Sequence, residues 1–201
     1  YLTDAFTEQS VEFIKHEHEK PFFLFLSHTT PHTPLQATKK YTARYKHLKD
    51  PTARVYAAMV ASLDESVGAI VNTLSETKRL RDTLIVFSSD NGCAGYIGVC
   101  SNGELSGFKR YHNEGGIRIP LILHWSSQIK PGKYPKMVSL LDLMATFAEV
   151  AGSNHSTEDS VDLIRFLKNP DGTPHKYLYW RSSPTRACLL YTSDAADELR
   201  S

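Results

Sequence analysis

The sequence predicts an α/β fold, a mostly parallel sheet flanked by helices, and three observations lead there. Short apolar runs recur along the chain and stop at turn-forming residues. A long stretch between two of these runs repeats apolar residues at helical spacing. Helix-like and strand-like segments alternate throughout. In such sheets ligands gather at the carboxyl ends of strands.

Each element follows from local composition. Thr7 to Glu19 is expected to be a helix with Val11 and Ile14 inward, and Pro21 then introduces Phe22 to Ser27, apolar and aromatic enough for a buried strand. After a loop containing Pro31 and Pro34, Pro51 suits a first helical position. Val55, Met59, Leu63, Val67, Ile70 and Leu74 then recur at helical intervals to about Lys78. Thr83 to Ser89 is a second expected strand and Pro120 to Trp125 a third, with the glycine-rich segment Gly92 to Gly116 between them. Ser139 to Val150 is expected to be helical and to stop at Gly152. From Cys188 onward the pattern breaks, and the segment is expected to be either an irregular or foreign tail or a short strand with a frayed end.

With 201 residues, 41% of them hydrophobic, the chain is long enough for one sizeable core. Its 23 Lys and Arg balance 22 Asp and Glu, so no overall field draws in nucleic acid or an acidic membrane, and partners must be argued from a local site. No apolar run approaches the roughly 20 residues of a membrane-spanning helix. The chain opens at Tyr1 without an initiator methionine, and the expectation is of a fragment whose start lies upstream. Three cysteines, Cys93, Cys100 and Cys188, form no C-x-x-C pair. Cys93 and Cys100 are close enough for a local disulfide or stand as two free thiols.

Three clusters carry candidate chemistry. Asp90-Asn91-Gly92 ends an expected strand, where a carboxylate and a carboxamide suit a hard divalent cation; the same three residues also favour a plain tight turn. His32 lies between Pro31 and Pro34, which restrict the backbone and help to aim an imidazole as a proton donor, although a loop histidine also serves well as a solvated group. His28 is read as structural. Lys109, in Gly107-Phe108-Lys109-Arg110, offers a point charge to sulfate or phosphate oxygens or stands solvated, and Glu114 and Arg118 are expected to brace the loop as a buried or half-buried ion pair.

The ordered set PFFLFLSHTTPHTPL, SLDESVGAIV, TLIVFSSDNG, GFK, EGGIRIP, VSLLDLMATFAEVAG, SVDL and YLYWR, from about Pro21 to Arg186, resembles the sulfatase family of the alkaline phosphatase superfamily. The resemblance implies an alkaline phosphatase-like partial domain, with residues 1–152 the C-terminal half of a catalytic domain, 153–187 the start of a small α+β subdomain and 188–201 the tail. It further implies a sulfuric ester hydrolase, with Asp90 and Asn91 ligands of Ca2+ or another divalent cation. Lys109 would contact the substrate sulfate, and His32 would lie near the leaving oxygen and protonate the departing alcohol. A formylglycine nucleophile is expected from a C-x-P-x-R or S-x-P-x-R motif in an N-terminal part outside this chain. Ser182-Ser183-Pro184-Thr185-Arg186 fits the letters but follows the late strand instead of preceding the site, and is read as coincidence. Ser106 replaces an arginine that many relatives carry before the Gly-x-Lys segment.

The implied substrate is a sulfated carbohydrate or an aryl sulfate, the implied compartment periplasmic, secreted or lysosomal, and the chain alone is expected to be inactive. Phosphate or phosphonate ester hydrolysis is the alternative enzymatic reading, and a non-catalytic module that binds sulfated glycans is the alternative outside catalysis.

Overall fold

A computed structural model describes residues 1–16, 18–153, 158–169, 171–183 and 186–191. The chain divides into two compact units, the first of residues 1–86, 94–101 and 125–127, the second of residues 87–93, 102–124 and 128–201. Helices occur in both units, and the strands of the described residues form two two-stranded sheets.

In the first unit α1 (Leu2–Lys15) packs along α3 (Pro51–Glu76), with α2 (Lys39–Thr42) and a following 3-10 turn against the start of α3. Asp50 caps α3 by accepting the Thr52 N–H at 2.8 Å, and Pro51 occupies the first turn, where its missing N–H costs nothing. The α1–α3 seam joins apolar burial to hydroxyl pairing. Ile14 and Leu74 are 1% and 2% exposed, each burial stabilising by about 1.5–3 kcal/mol. Thr7 and Ser66 share a hydrogen bond of 2.7 Å, and the Thr3 and Thr30 hydroxyls another of 2.7 Å. Arg79 closes the end of α1, donating to the carbonyls of Ile14 and His16.

Two expectations are corrected here. The first helix runs from Leu2 to Lys15, not from Thr7 to Glu19, because its inward face begins with Thr3 and continues through Ser10 to Ile14. Hydroxyls that bond across the seam are invisible to a search for apolar periodicity. The Phe22–Ser27 run belongs to neither sheet of the described residues, and its side chains alternate, Phe23 and Phe25 being 67% and 79% exposed. A run reads as doubly buried only when other elements cover both its faces, and among the described residues only one face is covered.

β1 (Ile85–Ser88) pairs with β2 (Leu121–His124), and the Ser88 hydroxyl donates to the Pro120 carbonyl at 2.8 Å. Between them in sequence lies the glycine-rich segment, which includes α4 (Glu114–Ile117). It is held by close backbone approach. Gly92 N–H donates to Gly116 O at 3.0 Å and Gly115 N–H to Ser106 O at 2.7 Å. A Cβ on Gly92 would overlap the Gly115 carbonyl, one on Gly116 the Tyr111 carbonyl, and one on Gly115 the carbonyls of Leu105, Ser106 and Gly107. Only hydrogen fits there.

α5 (Asp142–Val150) ends at Gly152, whose φ of 72° supplies the left-handed stop expected of it. α6 (Leu163–Lys168) follows and packs on α5, so the chain on either side of Gly152 forms one joint. Asp142 is its hub. Fully buried, its carboxylate accepts the N–H groups of Ser139 at 2.7 Å and Val161 at 3.0 Å and lies 2.9 Å from His175 Nε2. The Thr146 hydroxyl accepts the Leu163 N–H at 2.9 Å. β3 (Tyr177–Ser183) and β4 (Arg186–Tyr191) form an antiparallel hairpin in which Trp180 faces Cys188 across the ladder. Residues 188–191 of the segment read as an irregular tail are therefore paired strand, and residues 192–201 lie outside the described ones.

Three outcomes follow from this packing. Gly115→Ala meets backbone on three sides and should lower stability by at least about 1–3 kcal/mol, read as a shift in denaturant midpoint; an unchanged midpoint would contradict the close approach. Asp142→Ala strands the partly buried His175 imidazole and two N–H groups and should cost about 3–5 kcal/mol, with Asp142→Asn losing less in the same titration. Glu65, gripped by Lys40 at 2.8 Å and by Arg44, has its carboxyl held down from 4.5 to about 2, chiefly by the Lys40 hydrogen bond and then by Arg44. Its contribution is therefore present above pH 4.5 and is lost as pH falls through about 2. Because these side chains are partly solvated the effect is modest and salt-sensitive. Melting curves of the parent chain and Glu65→Gln should converge across that window, and a gap independent of pH would refute the linkage.

Candidate functional site

β1 delivers its last residues to the glycine segment, and the candidate cation ligands sit at that exit. The Ser89 hydroxyl donates to the Asn91 carbonyl at 2.9 Å, tightening the turn that follows the strand. Asp90 is exposed, and its carboxylate has neither hydrogen bond nor ion pair among the described residues. The Asn91 side-chain nitrogen donates to Gly92 O at 2.9 Å, which leaves the amide oxygen as the atom with lone pairs to offer.

Lys109 is placed by a second turn that is tied to the first. Its own N–H donates to Cys93 O at 2.9 Å, while Asn102 bridges the two loops by accepting the Cys93 N–H at 2.9 Å and donating to Gly107 O at 3.0 Å. The Tyr111 N–H returns to Phe108 O at 2.9 Å, so Lys109 and Arg110 are the two corners of a tight turn. Gly107 and Arg110 both have positive φ, 82° and 81°. Glycine accepts that conformation freely, whereas for arginine it costs on the order of 1–2 kcal/mol. Backbone strain of this kind concentrates at functional loops. The Lys109 ammonium is half-buried and has no acidic partner among the described residues.

The second unit thus brings Asp90, Asn91 and Lys109 onto two loops stapled to each other. His32 belongs to the first unit. There its N–H donates to Thr29 O at 2.8 Å and its Nδ1 lies 2.7 Å from Thr33 O. A carbonyl only accepts, so Nδ1 carries the hydrogen and Nε2 is the nitrogen offered outward. His28 is a different kind of group. Its Nε2 meets the Ser66 hydroxyl at 3.1 Å, burial pushes it below the ordinary histidine range, and it helps to fix the loop to α3 as a structural residue should.

The Glu114–Arg118 pair forms, at 3.5 Å, but the arginine side chain is 66% exposed and the glutamate 43%. It is a solvated i,i+4 pair worth a few tenths of a kcal/mol, roughly 0.2–0.5, not the buried or half-buried brace expected from sequence. The glycines and Asn102 brace the loop instead. Asn102 escaped the sequence reading, its one signal being the turn-forming pair Asn102-Gly103. Cys93 and Cys100 are both disulfide-bonded and Cys188 is a free thiol. The S-x-P-x-R letters fall on the β3–β4 connection, with Pro184 and Thr185 outside the described residues.

An uncommitted carboxylate and a neighbouring amide oxygen are the donor types that a hard cation such as calcium or magnesium takes. They make a partial set. No group of three or more His, Cys, Asp or Glu side chains able to hold a metal occurs among the described residues. A cation, if held by these oxygens, and the loop ammonium would each offer positive charge to a tetrahedral oxyanion.

Comparison with known proteins gives this arrangement a family. A model described as Sulfatase matches residues 1–153. Steryl-sulfatase of Homo sapiens is 35% identical over 190 residues, covering 89% of this chain and 32% of its own. The crystal structure of Ps i-CgsB in complex with k-i-k-neocarrahexaose aligns with a TM-score of 0.84 at 34% identity, covering 94% of this chain and 44% of that one. BT4656, solved in complex with its substrate D-glucosamine-2-N,6-O-disulfate, aligns with a TM-score of 0.53 at 26% identity over 75% of this chain and 34% of that one. The chain spans about a third of the length of the curated relatives it matches. On the span of the family model and the identity to steryl-sulfatase, this chain belongs to the sulfatase family.

Proposed function

We propose that the whole protein hydrolyses sulfate esters of a carbohydrate, and that this chain contributes part of its active site. The observation that carries the reading is the pair of stapled loops, on which a half-buried ammonium and a strand-end acid-amide pair remain uncommitted in a chain of the sulfatase family. A carbohydrate is favoured because two similar structures were solved with saccharides, one of them a disulfated glucosamine. β1 and β2 are inferred to belong to a larger, mostly parallel alkaline phosphatase-like sheet. Residues 1–152 are inferred to be the C-terminal half of the catalytic domain and residues 153–187 the start of a subdomain.

Each residue has a role set by its chemistry. Asp90 and Asn91 would hold a divalent cation, calcium by family likeness, through a carboxylate and an amide oxygen. When bound, the cation supplies positive charge to the sulfate oxygens. Lys109 holds a sulfate oxygen through its ammonium, and the turn at Gly107–Arg110 fixes where that ammonium begins. His32, its Nδ1–H held by Thr33 O, acts as general acid in its doubly protonated form: the Nε2 proton passes to the departing alcohol oxygen, where negative charge builds as the S–O bond breaks, and the ring is left neutral with its hydrogen on Nδ1. The nucleophile, a formylglycine by family likeness, would come from the remaining part of the protein. The disulfide-bonded state of Cys93 and Cys100 supports a site of action outside the cytosol, in the periplasm, a secretory space or the lysosome.

Replacement in the whole protein tests these roles. Lys109→Ala should lower turnover by about 100- to 1,000-fold, as loss of one oxyanion contact does. His32→Ala should lower it by about 100- to 10,000-fold on a sugar sulfate and by much less on an aryl sulfate whose phenol leaves without a proton. The chain alone should show no turnover. Full activity of Lys109→Ala, or an equal His32→Ala loss on both leaving groups, would overturn the assignment.

A further inference from the structure

The chain's small net charge conceals a local excess in the first unit. Residues 39–54 hold six cations, Lys39, Lys40, Arg44, Lys46, Lys49 and Arg54, against the single acid Asp50; of the 23 basic and 22 acidic residues of the chain this leaves 17 against 21 elsewhere. The stretch is net +5 in a chain of net +1, and the remainder is net −4. Three of the six cations are already committed. Glu65 takes Lys40 and Arg44, and both Nε and Nη2 of Arg54 donate to Leu48 O, at 3.1 and 2.6 Å. The acids near the stretch are committed too, Asp50 to the cap of α3 and Asp4 to the Tyr41 hydroxyl at 3.2 Å. Lys39, Lys46 and Lys49 are left exposed with no acidic partner among the described residues.

The backbone under these lysines is ordered by its own bonds, the Tyr41 and Thr42 N–H groups on Thr38 O and the Leu48 N–H on Tyr45 O. The charges are therefore presented from a fixed surface, which reduces the ordering cost of binding. We propose that Lys39, Lys46 and Lys49 form a docking surface for a sulfated polysaccharide, so that a polyanionic chain carrying several sulfates is preferred over a singly sulfated ester that the same active site also turns over. This rests on the carbohydrate-sulfatase reading and narrows its substrate class.

The surface fits that partner better than two others. An anionic membrane surface favours cations beside exposed apolar side chains, and no large hydrophobic residue of this stretch is exposed; Tyr41 is 3% exposed beneath Lys40 and Arg44. Single-stranded nucleic acid favours exposed aromatic platforms, whereas Tyr45 is half-buried beside His47. Lysines serving as separate point charges suit sulfates spaced along a stiff chain.

Binding of the chain to dextran sulfate, with unsulfated dextran, duplex DNA and phosphatidylserine vesicles alongside, tests the proposal. The variant Lys39→Glu/Lys46→Glu/Lys49→Glu is compared with Lys130→Glu/Lys133→Glu/Lys136→Glu, an equal charge change on exposed lysines of the second unit. The first variant should lose about tenfold or more in affinity for dextran sulfate at low salt, with a shallower salt dependence, as expected when three cationic contacts are removed. The control should lose far less. Equal losses in both variants, no preference over dextran, or tighter binding to DNA or vesicles would each overturn the proposal. Turnover of a small monosulfate ester by the whole protein, unchanged in the first variant, keeps the two readings apart: absence of that turnover in the parent protein defeats the sulfatase reading, while loss of selective polyanion binding alone defeats the docking surface.

Discussion

Backbone carbonyls packed against glycine hydrogens are the constraint on which the second unit's loops depend. Gly92, Gly115 and Gly116 each occupy a place where a methyl group would meet a carbonyl oxygen, and the Gly92–Gly116 and Ser106–Gly115 hydrogen bonds form across those same approaches. The strand-end residues Asp90 and Asn91 are consequently tied to the segment that presents Lys109. The Lys109 ammonium and the exposed Asp90 carboxylate have no oppositely charged partner among the described residues, and the backbone that carries them is fixed by these bonds. Such preorganisation spares the reorganisation that water would demand around a charged ligand.

How much of this was legible depends on whether an element's stability is local. α3 was readable to within two residues of its end because proline and apolar spacing are written in the segment itself. β1, β2 and the Gly152 stop were readable for the same reason. The Phe22–Ser27 run was misjudged because burial of a strand is a property of its neighbours, and the aromatic side chains expected inside are exposed on alternate positions. The start of α1 was missed because its inner face includes threonine and serine, and the Thr7 and Thr3 hydroxyls find partners on α3 and at Thr30 that no pattern within α1 announces.

The candidate site divides along the same line. Residue types at Asp90, Asn91, His32 and Lys109 suggested a chemistry because carboxylate, amide, imidazole and ammonium each restrict what they hold. Their supports were harder to see. Asn102 is an ordinary loop asparagine until its two hydrogen bonds span Cys93 and Gly107, and Glu114 with Arg118 looks like a brace until both are found solvated. Asp142 looks like one acid in an amphipathic helix, yet it is the buried hub that joins α5 to the chain beyond Gly152. Side chains that act by reaching across sequence leave little trace in local composition.

Arg110 connects stability to function most directly. Its positive φ is a conformation that glycine would take at no steric expense, and the tight turn it completes is of the kind that ordinarily recruits glycine at this corner. Retaining a strained arginine requires that surrounding bonds over-determine the turn, and they do: Asn102 on Gly107 O fixes the backbone before it, Lys109 N–H on Cys93 O fixes it within, and Tyr111 N–H on Phe108 O closes it. The strain falls one residue from the Lys109 ammonium proposed to hold the sulfate. A more relaxed turn would redirect the root of the Lys109 side chain, and for a point charge that binds an oxyanion the direction of that root determines whether the charge arrives.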